Sequence, residues 1–290
     1  MDFRTPVSVP RPSFQIEPME SMFFVGSCFA DNIGQRFREE HFPVVTNPYG
    51  TMYNPVSVLH TVERYCGELA AKASAGEAVV SPRVVFITLG TNHVYRLRET
   101  GEIVDNCQKR PQRLFSEEEL SFGEVVDALR QAVEVLRSHR PDVQVVFTVS
   151  PIRYQKYGFH ESQLSKATLL LAVDQLLKEY SLHGSRLTSH GSPLTLHYFP
   201  AYEIVLDELR DYRFYKEDML HPSAQAVEYL WQQLAEHYLS PRAHQFLKEW
   251  KPIKEGLAHR PFHPESEEYQ QFLAALRHKE EQLLARFCSF

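Results

Sequence analysis

Residues 22–34 read MFFVGSCFADNIG: an unbroken apolar run, a glycine, two small polar residues side by side, and then an apolar residue every fourth position at Phe29, Ile33 and Phe37. A run that is hydrophobic throughout suits a strand covered on both faces, and the four-residue recurrence suits an amphipathic helix. The stretch is therefore a strand–turn–helix unit with Ser27 and Cys28 at the turn. The strand signature returns in VVFITLG (84–90), VQVVFTVS (143–150) and LTLHYFP (194–200). Helical periodicity fills Leu120 to Val135, Leu164 to Leu177 and Ala226 to Leu239. This alternation predicts a three-layer α/β/α sandwich with a mostly parallel sheet, flavodoxin-like because too few strands are legible for a barrel. Such folds bind ligands at the carboxyl ends of the strands.

With 290 residues, 43% of them hydrophobic, the chain has enough apolar material for a sizeable core plus an appendage. A formal net charge of −6, with acids and bases interspersed, leaves no electrostatic footprint for nucleic acid or an anionic membrane. The opening MDFRTPVSVPRPSFQIEP carries no apolar core of a signal peptide, and no run approaches the roughly 18–20 apolar residues of a membrane span. A cytoplasmic protein is expected. Cys28, Cys66, Cys107 and Cys288 lie far apart without paired Cys/His spacing, so reduced thiols are expected and no zinc site, other metal or cofactor.

The character changes after residue 241, dividing the chain into a main domain, 1–241, and a helical extension, 242–290. RAHQFLKEWKPIKEGLAH and SEEYQQFLAALRHKEEQLLARF read as two helices split by RPFHPES. The second places Phe272, Leu273, Leu276, Leu283, Leu284 and Phe287 on roughly one face, which must cover either its own domain or a partner subunit.

Ser27 stands where a strand-to-helix turn presents either an N-cap or a nucleophile backed by helix-start N–H groups. Its partners come from EDMLHPSAQAVEYLW (217–231), where Asp218 and His221 are three positions apart in a short loop before a helix capped by Ser223. That spacing lets the carboxylate reach Nδ1 of the imidazole and leaves Nε2 free as general base. Cys28, one residue into the helix, is read as a small packing residue. The alternative is a thiol nucleophile, activated at the helix start and paired with His221.

The block GSCFA (Gly26 to Ala30) resembles the namesake motif of the GSCFA family, related to the SGNH (GDSL-like) hydrolases and acyltransferases. The likeness extends through NPYGTMYNP, LGTNHVYRLRETGEIVDNC, TVSPIR, QLSKATLLLAV, AYEIVLDELRDYRFY and DMLHPSAQAVEYLW, over most of residues 20–240. The resemblance implies the fold just derived and a Ser-His-Asp arrangement of Ser27, His221 and Asp218. It also implies oxyanion donors from the N–H of Ser27, from Gly50 and from Asn92, with Asn54 the alternative amide. The chain departs from the wider pattern in two places: the first block is GSC where that pattern has GDS, and His93 follows the asparagine where it has aspartate.

His93 is a candidate to orient or protonate a leaving group, and Arg96, Arg98, Arg153 and Lys166 are candidates to bind substrate. Solvated or ion-paired side chains are the plainer reading of the four cations. His160 and Glu161 are expected in a loop before a helix, and Tyr49, Tyr53, Tyr95 and Tyr154 as an aromatic rim suited to carbohydrate. The expected activity is hydrolysis of a small acyl ester, an O-acetyl group on a carbohydrate, by a serine esterase. The alternatives are acyl transfer to a sugar hydroxyl by the same residues, and a non-catalytic binding module for carbohydrate or a partner.

Overall fold

A computed structural model describes residues 4–107, 110–183 and 195–288. The opening stretch forms β1 (Met22–Gly26) and α1 (Cys28–Glu39), followed by β2 (Val44–Thr46), α2 (Pro55–Ser74) and β3 (Val84–Leu89). A small excursion of β4 (His93–Leu97), β5 (Ile103–Val104) and β6 (Phe115–Glu119) precedes α3 (Phe122–His139), β7 (Gln144–Val149) and α4 (Phe159–His183). The chain continues through β8 (Leu196–Tyr198), the short turn α5 (Ala201–Glu203), α6 (Ala224–Tyr238), α7 (Pro241–Ala258) and α8 (Glu267–Cys288).

Five strands pair in parallel in the order β2-β1-β3-β7-β8, so the order reverses between β1 and β3. Every residue of β1 and β3 is buried, as their unbroken apolar runs require when both faces are covered. Phe23 and Val25 face α2, α3 and α4 through Val58, Val62, Leu129 and Leu169. Met22 and Phe24 face α1 and α6 through Ile33, Phe37, Leu230 and Trp231. Phe24 stacks on Phe86 at 4.5 Å, and Phe37 meets Trp231 edge-on at 4.6 Å. Each such ring, fully buried, contributes about 1.5–3 kcal/mol. The expected three-layer sandwich with a parallel sheet is thus the observed one.

The second sheet, β5-β4-β6, is antiparallel and lies outside the main one. Arg96 pairs with Glu118 at 2.9 Å, and Arg98 donates to the Phe115 carbonyl at 3.0 Å. Both arginines brace this small sheet. His160 and Glu161 lie in the first turn of α4 and not in a loop before it.

The two C-terminal helices pack where α1 ends. Trp250 Nε1 donates to the Glu39 carbonyl at 3.2 Å, and Lys254 Nζ to Glu40 at 2.7 Å. From the apolar stripe of α8, Leu283 and Phe287 cluster with Phe246, Trp250 and Ile253 of α7, while Leu276 is buried and Phe272 stays exposed. Cys28, Cys66 and Cys107 are free thiols, whereas the side chain of Cys288 lies outside the described residues. Among the described residues no helix is long and apolar enough to cross a membrane.

His197 on the edge strand β8 is buried beside Phe14, with ring centroids 4.9 Å apart, and its Nε2 has no hydrogen-bond partner. Burial pushes its imidazole down to about 4. The unfolded chain therefore takes up this proton first, near pH 6.5, and stability should fall from there to about pH 4. A shift of that size amounts to about 3 kcal/mol. Urea denaturation of the wild type and of His197→Leu across pH 7 to 4 checks it. The stability of the wild type relative to the variant should fall with pH, and a constant difference would refute it.

Candidate active site

The turn after β1 is set by its capping. Ser27 has φ −63° and ψ 168°, and its Oγ accepts from the Phe29 N–H at 3.3 Å. This conformation turns the serine side chain inward, where it has no solvent exposure and its hydroxyl lies 3.1 Å from Thr88 Oγ1 of β3. Cys28, at the first helical position, faces out. It is half-buried and lines a cleft of about 500 Å³ at the carboxyl edge of the sheet, together with Tyr53, Ile152, Tyr154, Leu220 and His221. Ser27 is thus the packed cap, and Cys28 is the residue that shares the cleft with His221.

Asp218 and His221 are held as their spacing predicts. Asp218 Oδ2 lies 2.6 Å from His221 Nδ1, and Oδ1 accepts the N–H groups of Leu220 and His221 at 2.9 Å each. Those two backbone donors, with the imidazole, hold the Asp218 carboxyl down at about 2. An ionised carboxylate only accepts, so the proton of the neutral ring sits on Nδ1 and Nε2 carries the free lone pair. The loop is fixed at both ends: Lys216 N–H donates to the His221 carbonyl at 2.7 Å, and Ser223 N–H to the Phe214 carbonyl at 2.7 Å. Arg153, expected to touch substrate, buttresses this loop by donating from Nη1 to the Met219 carbonyl and from its backbone to the Leu220 carbonyl.

The expected oxyanion donors are engaged elsewhere. Gly50 is exposed, and its N–H closes a turn onto the Asn47 carbonyl at 2.9 Å. Asn92 is buried, with Nδ2 donating to the Leu120 carbonyl at 2.8 Å, so it fastens the excursion that leads to α3. Asn54 caps α2, accepting from the Ser57 N–H at 2.9 Å. The N–H of Cys28 stands at the positive end of α1, where the first-turn N–H groups have no intrahelical acceptor.

His93, Tyr95 and Tyr49 do not line the cleft. His93 is buried and stacked on Tyr157 at 3.8 Å, and burial lowers its pKa. Tyr95 lies beneath Lys156, whose ammonium is 4.5 Å from the ring, and Tyr49 lies beneath Arg64 at 3.8 Å. Tyr53 and Tyr154 do reach the cleft, edge to face at 5.9 Å. Two signals located the cleft residues in advance: the strand–turn–helix reading of 22–34 and the D-x-x-H spacing. Letter order also bears on the turn, since GSC laid on GDS puts the cysteine under the serine.

The fold is a parallel α/β/α sandwich with a half-buried thiol after β1 and a His–Asp pair before α6. The GSCFA family profile matches residues 21–76 and 68–234, and the profile of the C-terminal domain of GSCFA domain proteins matches 250–290. The chain belongs to the GSCFA family.

No relative is detected among curated proteins. Solved structures similar to the chain include an acetyl esterase mutant with acetate ion, 11% identical, spanning 80% of this chain and 100% of that one with a TM-score of 0.44. A GDSL-like lipase candidate from Parabacteroides merdae is 11% identical over 78% of this chain and 98% of its own, with a TM-score of 0.47. A carbohydrate esterase of family 3 from Talaromyces cellulolyticus is 10% identical over 79% of this chain and 99% of its own, with a TM-score of 0.41.

Proposed function

We propose that the protein hydrolyses a small, uncharged acyl ester, such as an O-acetyl group on a carbohydrate, with Cys28 as nucleophile. The observation that carries this reading is that Cys28 and His221, the latter held by Asp218, line one cleft while Ser27 is fully buried. His221 Nε2 takes the thiol proton as Sγ attacks the acyl carbonyl, and Asp218 balances the imidazolium. The Cys28 N–H and the α1 terminus face the oxyanion. Collapse expels the alcohol, which takes the proton back from His221, and leaves a thioester on Cys28. Water, deprotonated by His221, then releases the carboxylic acid and restores the thiol.

The cleft favours a neutral substrate. Its volume falls within the several-hundred-Å³ range of small-molecule sites, and Ile152, Leu220 and two tyrosine rings supply apolar wall. The two cations on its rim are already engaged, Arg153 with the Met219 carbonyl and Lys156 with both oxygens of Glu117 at 3.0 and 3.1 Å. Burial and the nearby Asp31 carboxylate raise the Cys28 pKa, so the resting group is a thiol and needs His221 as its base.

Acid quenching during turnover of a p-nitrophenyl acyl ester, followed by peptide mapping, should find the acyl group on Cys28. An acyl group on Ser27, or none on either residue in a protein that turns over, would contradict the proposal. His221→Ala should lower turnover by a factor on the order of 10³ and remove the adduct.

A further inference from the structure

The least expected group near the cleft is a lysine with no acid beside it. Lys166, in α4, is 2% exposed, and its Nζ donates to the carbonyls of Gly90 and Ser150 at 2.7 Å each. Those carbonyls follow β3 and β7, so the ammonium sits under the carboxyl edge of the sheet. It lies 5.6 Å from the ring centroid of Tyr154, whose other surroundings include the cleft shared with Cys28. Among the described residues no carboxylate forms an ion pair with it, and Cys28 is the titratable group whose charge favours its own. A buried ammonium costs several kcal/mol of desolvation, and two neutral carbonyls offset only part of that.

We infer that Lys166 is a positioning residue for the anion that forms at Cys28: a buried cation behind the cleft wall, left without a carboxylate, that favours negative charge on the sulfur and on the atoms bonded to it. The inference rests on the reading of Cys28 as nucleophile and adds where the electrostatic support for its anion comes from. Burial pushes the Lys166 ammonium down to about 7, and its two carbonyl acceptors hold the charged form against that. The other charges around Cys28 are mixed in sign. On its own helix Asp31 opposes the thiolate, while Lys216, in the loop before α6, favours it and Lys166 adds a smaller contribution of the same sign. His221 comes from that same loop, and Arg153 and Lys156 enter from the segment after β7. Lys166 differs from all of these in being sealed from water, where a charge is screened least.

The test compares two covalent forms of the otherwise native chain, with Cys107 and Cys288 replaced by serine to direct the reagents. Iodoacetate places a permanent carboxylate on Cys28, and iodoacetamide places a neutral group of nearly the same shape there. Lys166 is then titrated by NMR of its labelled side chain, assigned by comparison with Lys166→Gln. The carboxymethyl form should titrate about one pH unit higher than the carboxamidomethyl form, equivalent to a tenfold change in proton affinity. Equal midpoints would overturn the inference and reduce Lys166 to a tie between two strand ends. Because this readout needs no turnover, it is independent of the acyl-adduct experiment. A coupled Lys166 with no acyl group on Cys28 would sink the catalytic reading alone.

Discussion

Cys28→Ala is expected to lower turnover of an acyl ester by a factor on the order of 10³ or more, and Ser27→Ala to leave it within about threefold of wild type. The asymmetry follows from one step of backbone. Ser27 holds an extended conformation as the cap of α1, which sends its hydroxyl under the sheet edge toward Thr88, whereas Cys28 is the first helical residue and projects into the cleft. Stability should respond in the opposite sense. Ser27→Ala removes a cap and leaves the buried Thr88 hydroxyl with a weaker partner, for about 1–3 kcal/mol. Cys28→Ala deletes one half-buried sulfur and should cost under about 1 kcal/mol. Initial rates with a p-nitrophenyl ester, alongside urea denaturation of both variants, separate the two roles. An inactive Ser27→Ala beside a fully active Cys28→Ala would return the serine to the centre of the mechanism.

That one-residue distinction marks where hydrophobic periodicity stops working. The positions of the turn, the strand and the helix follow from hydrophobic periodicity, because β1 is buried on both faces and α1 on one, and burial leaves its period in the sequence. Which of two adjacent side chains faces the cleft depends on the dihedral angles of the cap, and these leave no periodic trace. Asp218 and His221 were legible for the opposite reason. Their contact is local, closed within three residues, and needs no knowledge of the rest of the fold.

Long-range contacts explain the other differences. Gly50 and Asn92 have the residue types of oxyanion donors, but the Gly50 N–H bonds to the Asn47 carbonyl and the Asn92 amide donates to the Leu120 carbonyl, contacts that only folding reveals. The helix α2 was hidden behind its own start signal. Asn54-Pro55 reads as a turn, yet an N-cap asparagine followed by proline at the first helical position is equally a helix start, and Asn54 caps it in that way. The strands β4 and β6 were missed because HVYRL is short and only partly buried and FSEEE carries three consecutive acids, so neither shows the unbroken apolar run of the main sheet.

Gly26→Ala is expected to be the most damaging single substitution in the fold, at more than about 4 kcal/mol, enough to remove soluble protein or to lower the melting temperature by more than about 10 °C. Gly26 ends β1 with φ +128°, a backbone conformation that L side chains rarely adopt. A Cβ there would lie 2.0 Å from the Thr88 carbonyl oxygen, the acceptor of the Ser27 N–H, and no rotamer relieves a clash with backbone. The residue is also pinned on both sides. Its N–H donates to Asn47 Oδ1 at 2.9 Å, and its carbonyl accepts from Met52 at 2.8 Å. Relief by shifting β1 away from β3 would break the parallel register on which the turn and Cys28 depend. Gly50→Ala makes the contrast. Gly50 also has a positive φ, +100°, but a Cβ there meets nothing within 4 Å, so only the backbone strain remains, about 1–2 kcal/mol. Because its N–H serves a turn and not the cleft, turnover should survive. Thermal melts and ester turnover of the two variants test both statements: a Gly26→Ala protein that melts like wild type, or a stable Gly50→Ala protein without activity, would show the turn after β1 to be built otherwise.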